Sequence, residues 1–314
     1  MIGRRTFLAR SCTAAAAAAF LASRGQWGAS ARPTQPADAR QMLMRKIPRT
    51  GEQVPAVGMG TWQTFDVDPS DEKALAPLAE VLEIFAGGGG RVIDSSPMYG
   101  RAEEVTGLLS DRLKLNDKLW LATKVWTGGE EAGVAQMKRS LDRLKRGKLE
   151  LMQVHNLTDW QTQLKTLRAW KERGTFRYIG ITHFAPSRFA DMEQILRTER
   201  LDFVQLPYSI GVRVAEEKLL PAARETGTAV LVMRPFEGGN LFASTRDKPL
   251  PDFVKDWSSS WGQAFLKFIL AHDAVTCVIP ATSKPQHMRD NIEAGYGRLP
   301  NEAERTRLVE LLGV

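Results

Sequence analysis

The chain of 314 residues is short of several features that would fix a function at once. It has two cysteines, Cys12 and Cys277. Cys12 falls in a segment that reads as removable, which leaves one thiol and no internal disulfide, so oxidative folding is not required and the compartment stays open. No basic run interleaved with aromatics occurs. The formal charge of +7 falls to +3 once Arg4, Arg5, Arg10 and Arg24 of that segment are set aside. So small a balance gives little reason to expect nucleic acid or an anionic membrane as partner. No G-x-G-x-x-G joins the first strand to its helix, which counts against a doubly wound sheet. A barrel hydrolase would need paired carboxylates at one mouth, and only Asp94 is evident.

What is present begins with an export signal over residues 1–31. Gly3-Arg4-Arg5-Thr6-Phe7-Leu8 looks like the twin-arginine motif of bacterial Tat substrates, and a short apolar core follows from Thr13 to Leu21. That core is well short of the roughly 20 residues that span a bilayer. Ala29-Ser30-Ala31 offers the cleavage site, and Cys12 precedes the apolar run, which argues against a lipoprotein. The expected location is periplasmic or otherwise exported through the Tat machinery, with no membrane anchor after cleavage. Residues 32–44 read as a linker, and 45–314 as one folded unit.

With 43% hydrophobic and 25% charged residues, that unit can bury a large core. Strand-like runs recur at 56–61, 91–96, 119–125, 149–155, 176–182, 203–208, 229–235 and 276–281. Helical spacing lies between them, as in Val134, Met137, Leu141 and Leu144, in Met192, Ile195 and Leu196, from Glu103 to Leu113 and from Glu216 to Arg224. Eight strand–helix units predict an α/β fold, the (β/α)8 or TIM barrel. Residues 47–54 suggest an N-terminal β-hairpin turning at Thr50-Gly51 and closing the barrel bottom; 301–312 suggest an amphipathic C-terminal helix. The four glycines from Gly87 to Gly90 end a helix and lead into a strand. The long segment 237–258, with Gly238 and Gly239 as hinges, is expected to fold as a flap over a ligand, the alternative being an ordinary surface excursion.

The stretch from Arg91 to Gly100, RVIDSSPMYG, organises the rest. Val92 and Ile93 suit a buried parallel strand, and Ser95, Ser96 and Pro97 turn it into a loop. Asp94 then stands at the strand's C-terminal end with Tyr99 just beyond. Lys124 ends the third strand and His155 the fourth. On a barrel, catalytic groups come from such ends of different strands.

On these residues the chain resembles the aldo-keto reductases over roughly residues 45–294. The shared stretches are GMGTW at 58–62, VIDSSPMYG at 92–100, ATKV at 122–125, LMQVHN at 151–156, RYIGITHF at 177–184 and IPATSKPQHMRDN at 279–291. The resemblance implies a tetrad of Asp94, Tyr99, Lys124 and His155 and reduction of an aldehyde or ketone by a nicotinamide nucleotide. Tyr99 would be the acid. A lysine ammonium about 4 Å from a phenol favours the phenolate by up to about 4 kcal/mol at an effective dielectric near 20. Asp94 would hold Lys124, and His155 would orient the carbonyl oxygen.

For the cofactor, the resemblance implies Gly60 and Thr61 in the first loop and Thr182 and His183 where the family commonly has Ser-Asn. It further implies Gln205 at the carboxamide and Tyr208 stacked on the nicotinamide. Thr282, Ser283 and Lys284 precede a helix, where a phosphate is well held, and read as the adenosine 2′-phosphate site. Together with His287, which replaces a common arginine, and Asn291 at the adenine, they imply NADPH over NADH. Trp62, Met98, Trp126, Asn156 and Trp160 are expected to line the substrate mouth. The alternative is a nicotinamide-nucleotide-binding regulatory subunit on the same fold, like the potassium-channel β subunits. The sequence leaves the oligomeric state open.

Overall fold

A computed structural model describes residues 41–314; the segment read as an export signal and most of the expected linker fall outside the described residues. The last linker residues, 42–44, already belong to the barrel, since Leu43 N donates to Gly295 O at 2.7 Å. Strands β1 (Met44–Lys46) and β2 (Gln53–Pro55) form an antiparallel hairpin, a little wider than 47–54. Gly51 takes φ 74° at its turn, a left-handed conformation that glycine adopts without steric cost. Ile47 and Val54 are buried among Val92, Trp120 and Phe203 inside the barrel, so the hairpin stoppers the end opposite the strand C-termini.

The barrel strands are β3 (Met59–Gly60), β4 (Val92–Asp94), β5 (Trp120–Val125), β6 (Leu149–His155), β7 (Phe176–Thr182), β8 (Phe203–Pro207), β9 (Ala229–Met233) and β10 (Val275–Val278). They pair in parallel in chain order, and the bridges Val57–Val278 and Gly60–Ala281 bring the first back against the last. The strand expected over 56–61 is thus only partly regular. At Gly58 the chains pass so closely that an added Cβ would lie 2.8 Å from Val92 O and 2.9 Å from Cys277 Sγ.

Helices α1 (Glu72–Gly87), α2 (Ala102–Arg112), α3 (Glu130–Arg143), α4 (Trp160–Glu172), α5 (Phe189–Glu199) and α6 (Leu219–Thr226) follow the first six barrel strands. Asp71 starts α1 by accepting from Lys73 N and Ala74 N, and Leu75, Leu78, Leu82 and Phe85 form its buried stripe. The glycine run ends it as expected: Gly90 lies so close under the Phe85 ring that a Cβ would meet it at 2.2 Å. The helix expected over 216–224 is split, a short 3-10 turn at Val214–Glu216 preceding α6. Pro221 suits only a first turn, so the helix restarts just before it.

After β9 come α7 (Asn240–Ser244) and α8 (Asp252–Lys255), then α9 (Trp261–Leu270), α10 (Pro285–Glu293) and α11 (Glu302–Leu312). The 237–258 segment is therefore partly helical. Helix α11 starts in a capping box between Asn301 and Glu304. No helix among the described residues is long and apolar enough to cross a membrane.

Candidate active site

Strand alternation sorts the site residues. Val92, Trp120, Leu151, Phe203 and Leu231 point inward and fill the lower barrel. Two residues further along each strand, the same inward face carries Asp94, Ala122 and then Lys124, Gln153 and then His155, Gln205, and Met233. Apolar layers below and polar groups above are thus built by one period of two.

Lys124 and Asp94 are 0% and 3% exposed, and Lys124 Nζ donates to Asp94 Oδ2 at 2.6 Å and to Ser95 O at 2.7 Å. Gln153 Nε2 donates to the other carboxylate oxygen, Asp94 Oδ1, at 3.3 Å. Thr61 Oγ1 lies 3.1 Å from Asp94 O and 3.0 Å from Ser95 Oγ, which fixes the turn beyond β4. The Lys124 ammonium sits 4.8 Å from the centre of the Tyr99 ring. Burial alone would lower the Lys124 pKa; Asp94 and then Tyr99 outweigh it, and the lysine is held above its ordinary value.

Tyr99 departs from expectation. Burial raises its pKa, and the pull of Lys124 in the other direction does not overcome it. The side chain is therefore a stored phenol, not a phenolate. His155 is driven down to about 2 by burial, then by the Lys124 charge and His183, so its imidazole is neutral across the physiological range. Its ring meets Tyr99 edge-on, with centroids 5.8 Å apart.

A depressed histidine has a consequence for stability. The unfolded chain takes up a proton near pH 6.5 that the folded His155 refuses. Stability is thus fully present above about pH 6.5 and falls as pH drops toward about 2, by at most about 1.4 kcal/mol per unit. His155→Gln should flatten this part of the acid limb, read as denaturant melts at about pH 5 and about pH 7. Equal slopes in both proteins would contradict the assignment.

Above these groups opens a cavity of about 1030 Å³. Of the residues expected at the site, Gly60, Thr61, Trp62, Asp94, Met98, Tyr99, His155, Asn156, Gln205, Thr282, His287 and Asn291 line it. Lys124 lies beneath, and Thr182 is buried in the wall, paired in register with His155 and Gln205. His183 stacks on Phe184, which lines the cavity. Trp126 is exposed on the rim with its ring 6.4 Å from that of His155. Ser283 and Lys284 stand exposed at the start of α10, where Lys284 N donates to Thr282 Oγ1 at 3.1 Å.

Two expectations fail. Tyr208 is fully buried behind the sheet, where its hydroxyl bonds Glu216 and receives Arg305 Nη2 from α11 at 2.8 Å. The reason is parity: Gln205 shares the inward face with Phe203, so Tyr208, three residues on, follows Val204 and Leu206 outward. Trp160 opens α4 half-buried against the core and is not among the residues that line the cavity. Met233, which has the inward parity on β9, lines the cavity.

Gln153, not expected at the site, occupies the strand position that matches that of Lys124. Phe236, Gly238, Gly239, Phe242 and Trp261 supply a further wall of the cavity, part of it from the 237–258 segment. Gln205 lines the cavity, and its Oε1 is buried without a hydrogen-bond partner. No cluster of metal-ligating side chains occurs among the described residues.

The chain is 26% identical over 304 residues to the oxidoreductase YqkF of Bacillus subtilis, covering 84% of this chain and 94% of that one. To the glyoxal reductase of the same organism it is 22% identical over 251 residues, 77% of this chain and 84% of the relative. Among solved structures it resembles an aldo/keto reductase from Klebsiella pneumoniae in complex with NADP and acetate, with a TM-score of 0.72 and 23% identity over 86% of this chain and 95% of that one. An aldo-keto reductase from Bacillus halodurans in its holo form gives a TM-score of 0.69 at 23% identity, over 87% and 96%. At that identity the structures speak for the fold. The sequence profile of the Aldo/keto reductase family matches residues 56–306, which takes in every strand of the barrel and all four residues of the tetrad, and the chain belongs to that family.

Proposed function

We propose that this protein reduces an aldehyde or ketone to the alcohol with NADPH as donor and Tyr99 as the proton source. Family membership makes it an NAD(P)H-dependent oxidoreductase. The observation that carries the finer reading is the buried Lys124–Asp94 pair beside Tyr99 and His155 at the floor of a large cavity.

The Gln205 amide on the cavity wall suits a nicotinamide carboxamide, which both donates and accepts. Thr182, His183 and Met233 would flank that end, and Thr61, Asn291, His287 and Lys284 would hold the remainder of the dinucleotide. When bound, NADPH supplies the hydride. Tyr99 delivers its hydroxyl proton to the carbonyl oxygen as negative charge builds there, and Lys124 steadies the oxygen left on Tyr99. Asp94 keeps the ammonium charged and in place. His155, being neutral, donates a hydrogen bond to the carbonyl oxygen without competing for the proton. Trp62, Met98 and Phe184 are exposed apolar groups at the mouth and suit an apolar carbonyl compound. The test is turnover on a panel of carbonyl compounds, followed by NADPH absorbance. Tight nucleotide binding with no turnover on any member would favour the regulatory-subunit alternative.

The preference for NADPH is carried by Lys284. Lys284→Ala should weaken NADPH by about 1.5–3 kcal/mol, the range for a hydrogen bond to a charged group, and leave NADH almost unchanged. Equal losses for both nucleotides would remove Lys284 from the 2′-phosphate site. Export through the twin-arginine signal is part of the same proposal, with the 237–258 segment as the clasp that retains the nucleotide. The wild type should be recovered from the cell envelope with NADP(H) bound, and replacing Arg4 and Arg5 by lysine should hold it in the cytoplasm. Equal distribution of the two proteins, or an envelope form free of nucleotide, would count against this.

A further inference from the structure

Ser96 is fully buried in the loop between β4 and α2. In the sequence it serves only as a turn residue. In the structure its Oγ lies 3.0 Å from His155 Nδ1 and accepts a hydrogen bond from Met98 N at 3.3 Å. A serine hydroxyl has one proton to give and two lone pairs to offer. The Met98 N–H takes one lone pair. Two arrangements remain for the contact with the imidazole. If Nδ1 carried the ring proton it would donate to Oγ, and the serine proton would be a buried donor with no acceptor among its contacts. If Oγ donates to Nδ1, every group is satisfied. Leaving a buried donor unmade disfavours the first arrangement by roughly 5- to 150-fold.

We propose that Ser96 is a positioning residue that fixes His155 as the tautomer with its proton on Nε2. Nδ1 is the nitrogen turned to the serine, so Nε2 is the one left for the cavity that His155 lines. The cavity is therefore offered a hydrogen-bond donor and not a lone pair, which is what a carbonyl oxygen accepts. The same contact holds the ring plane edge-on to Tyr99. Its mechanistic meaning rests on the reductase reading given above; the tautomer itself does not.

The experiment is nitrogen NMR of protein labelled in its four histidines, with His155 assigned from its loss in His155→Gln. Wild type should show a protonated Nε2 and a hydrogen-bonded, unprotonated Nδ1 at neutral pH. In Ser96→Ala the Nδ1 resonance should shift as its donor is lost, and kcat/KM for a carbonyl compound should fall about 3- to 10-fold with NADPH affinity unchanged. Ser96→Thr, which keeps a hydroxyl, should recover both. A proton on Nδ1 in the wild type overturns the proposal, as does an unmoved resonance in Ser96→Ala. If Ser96→Ala does not fold, the wild-type spectrum alone decides. Should no carbonyl be reduced while Nε2 is protonated, the serine assignment stands and the reductase reading falls.

Discussion

Tyr99→Phe should fold, bind NADPH normally and turn over carbonyl substrates about 10²–10⁴-fold more slowly than wild type. The substitution removes the oxygen that faces Lys124 and keeps the ring's other contacts, the edge-on meeting with His155 and the packing against the core. What it removes chemically is the one group at the cavity floor with a proton to spare. Lys124 is committed to Asp94 and Ser95 O, and His155 stays neutral far below neutral pH. The raised pKa of Tyr99 sharpens the expectation, because the phenol is fully protonated before each turnover. Acidity is needed only once charge appears on the substrate oxygen, and a neighbouring ammonium already in place requires no rearrangement then. Single-turnover rates with saturating NADPH isolate this step, and a near-normal rate would dismiss Tyr99 as the acid.

Lys124→Met should cost stability as well as activity, about 3–5 kcal/mol, because it leaves the Asp94 carboxylate in the barrel with only Gln153 as side-chain donor. The attraction within such a pair offsets a desolvation cost borne by both members, so removing one leaves the other's cost standing. Pairing Lys124→Met with Asp94→Asn should therefore recover much of the stability and none of the turnover. Denaturant midpoints for the two variants check the first half, and the substrate panel the second. If the double variant is no more stable than Lys124→Met, the pair is not what the barrel depends on here.

Most of the barrel was legible because its strands carry dense β-branched and apolar runs and its helices show spacing of three and four. The hairpin at the bottom was legible from Thr50-Gly51. Asp94, Tyr99, Lys124 and His155 stood out as polar groups at the ends of apolar strands. Tyr208 was misplaced because a resemblance was followed in place of strand parity, which the sequence does contain: Phe203 and Gln205 share one face and Tyr208 the other. Gln153 and Met233 went unseen although the same parity selects them, since an amide and a thioether give no chemical signal alone. Ser96 could not be distinguished from an ordinary turn serine, for its partner lies 59 residues away on β6. The split before α6 and the helices inside 237–258 depend on tertiary partners that no local window holds.

Cys277 sits wholly inside the barrel, close to the backbone at Gly58, with its thiol pKa pushed up by burial. In a chain beginning at residue 32 it is the sole cysteine. Such a protein carries its own silent reporter: a thiol reagent should find nothing to label until the barrel opens, and labelling rate then measures the frequency of opening. The same silence makes the chain a clean background for attaching a single probe elsewhere, for instance on the 237–258 segment, to watch it close over a nucleotide.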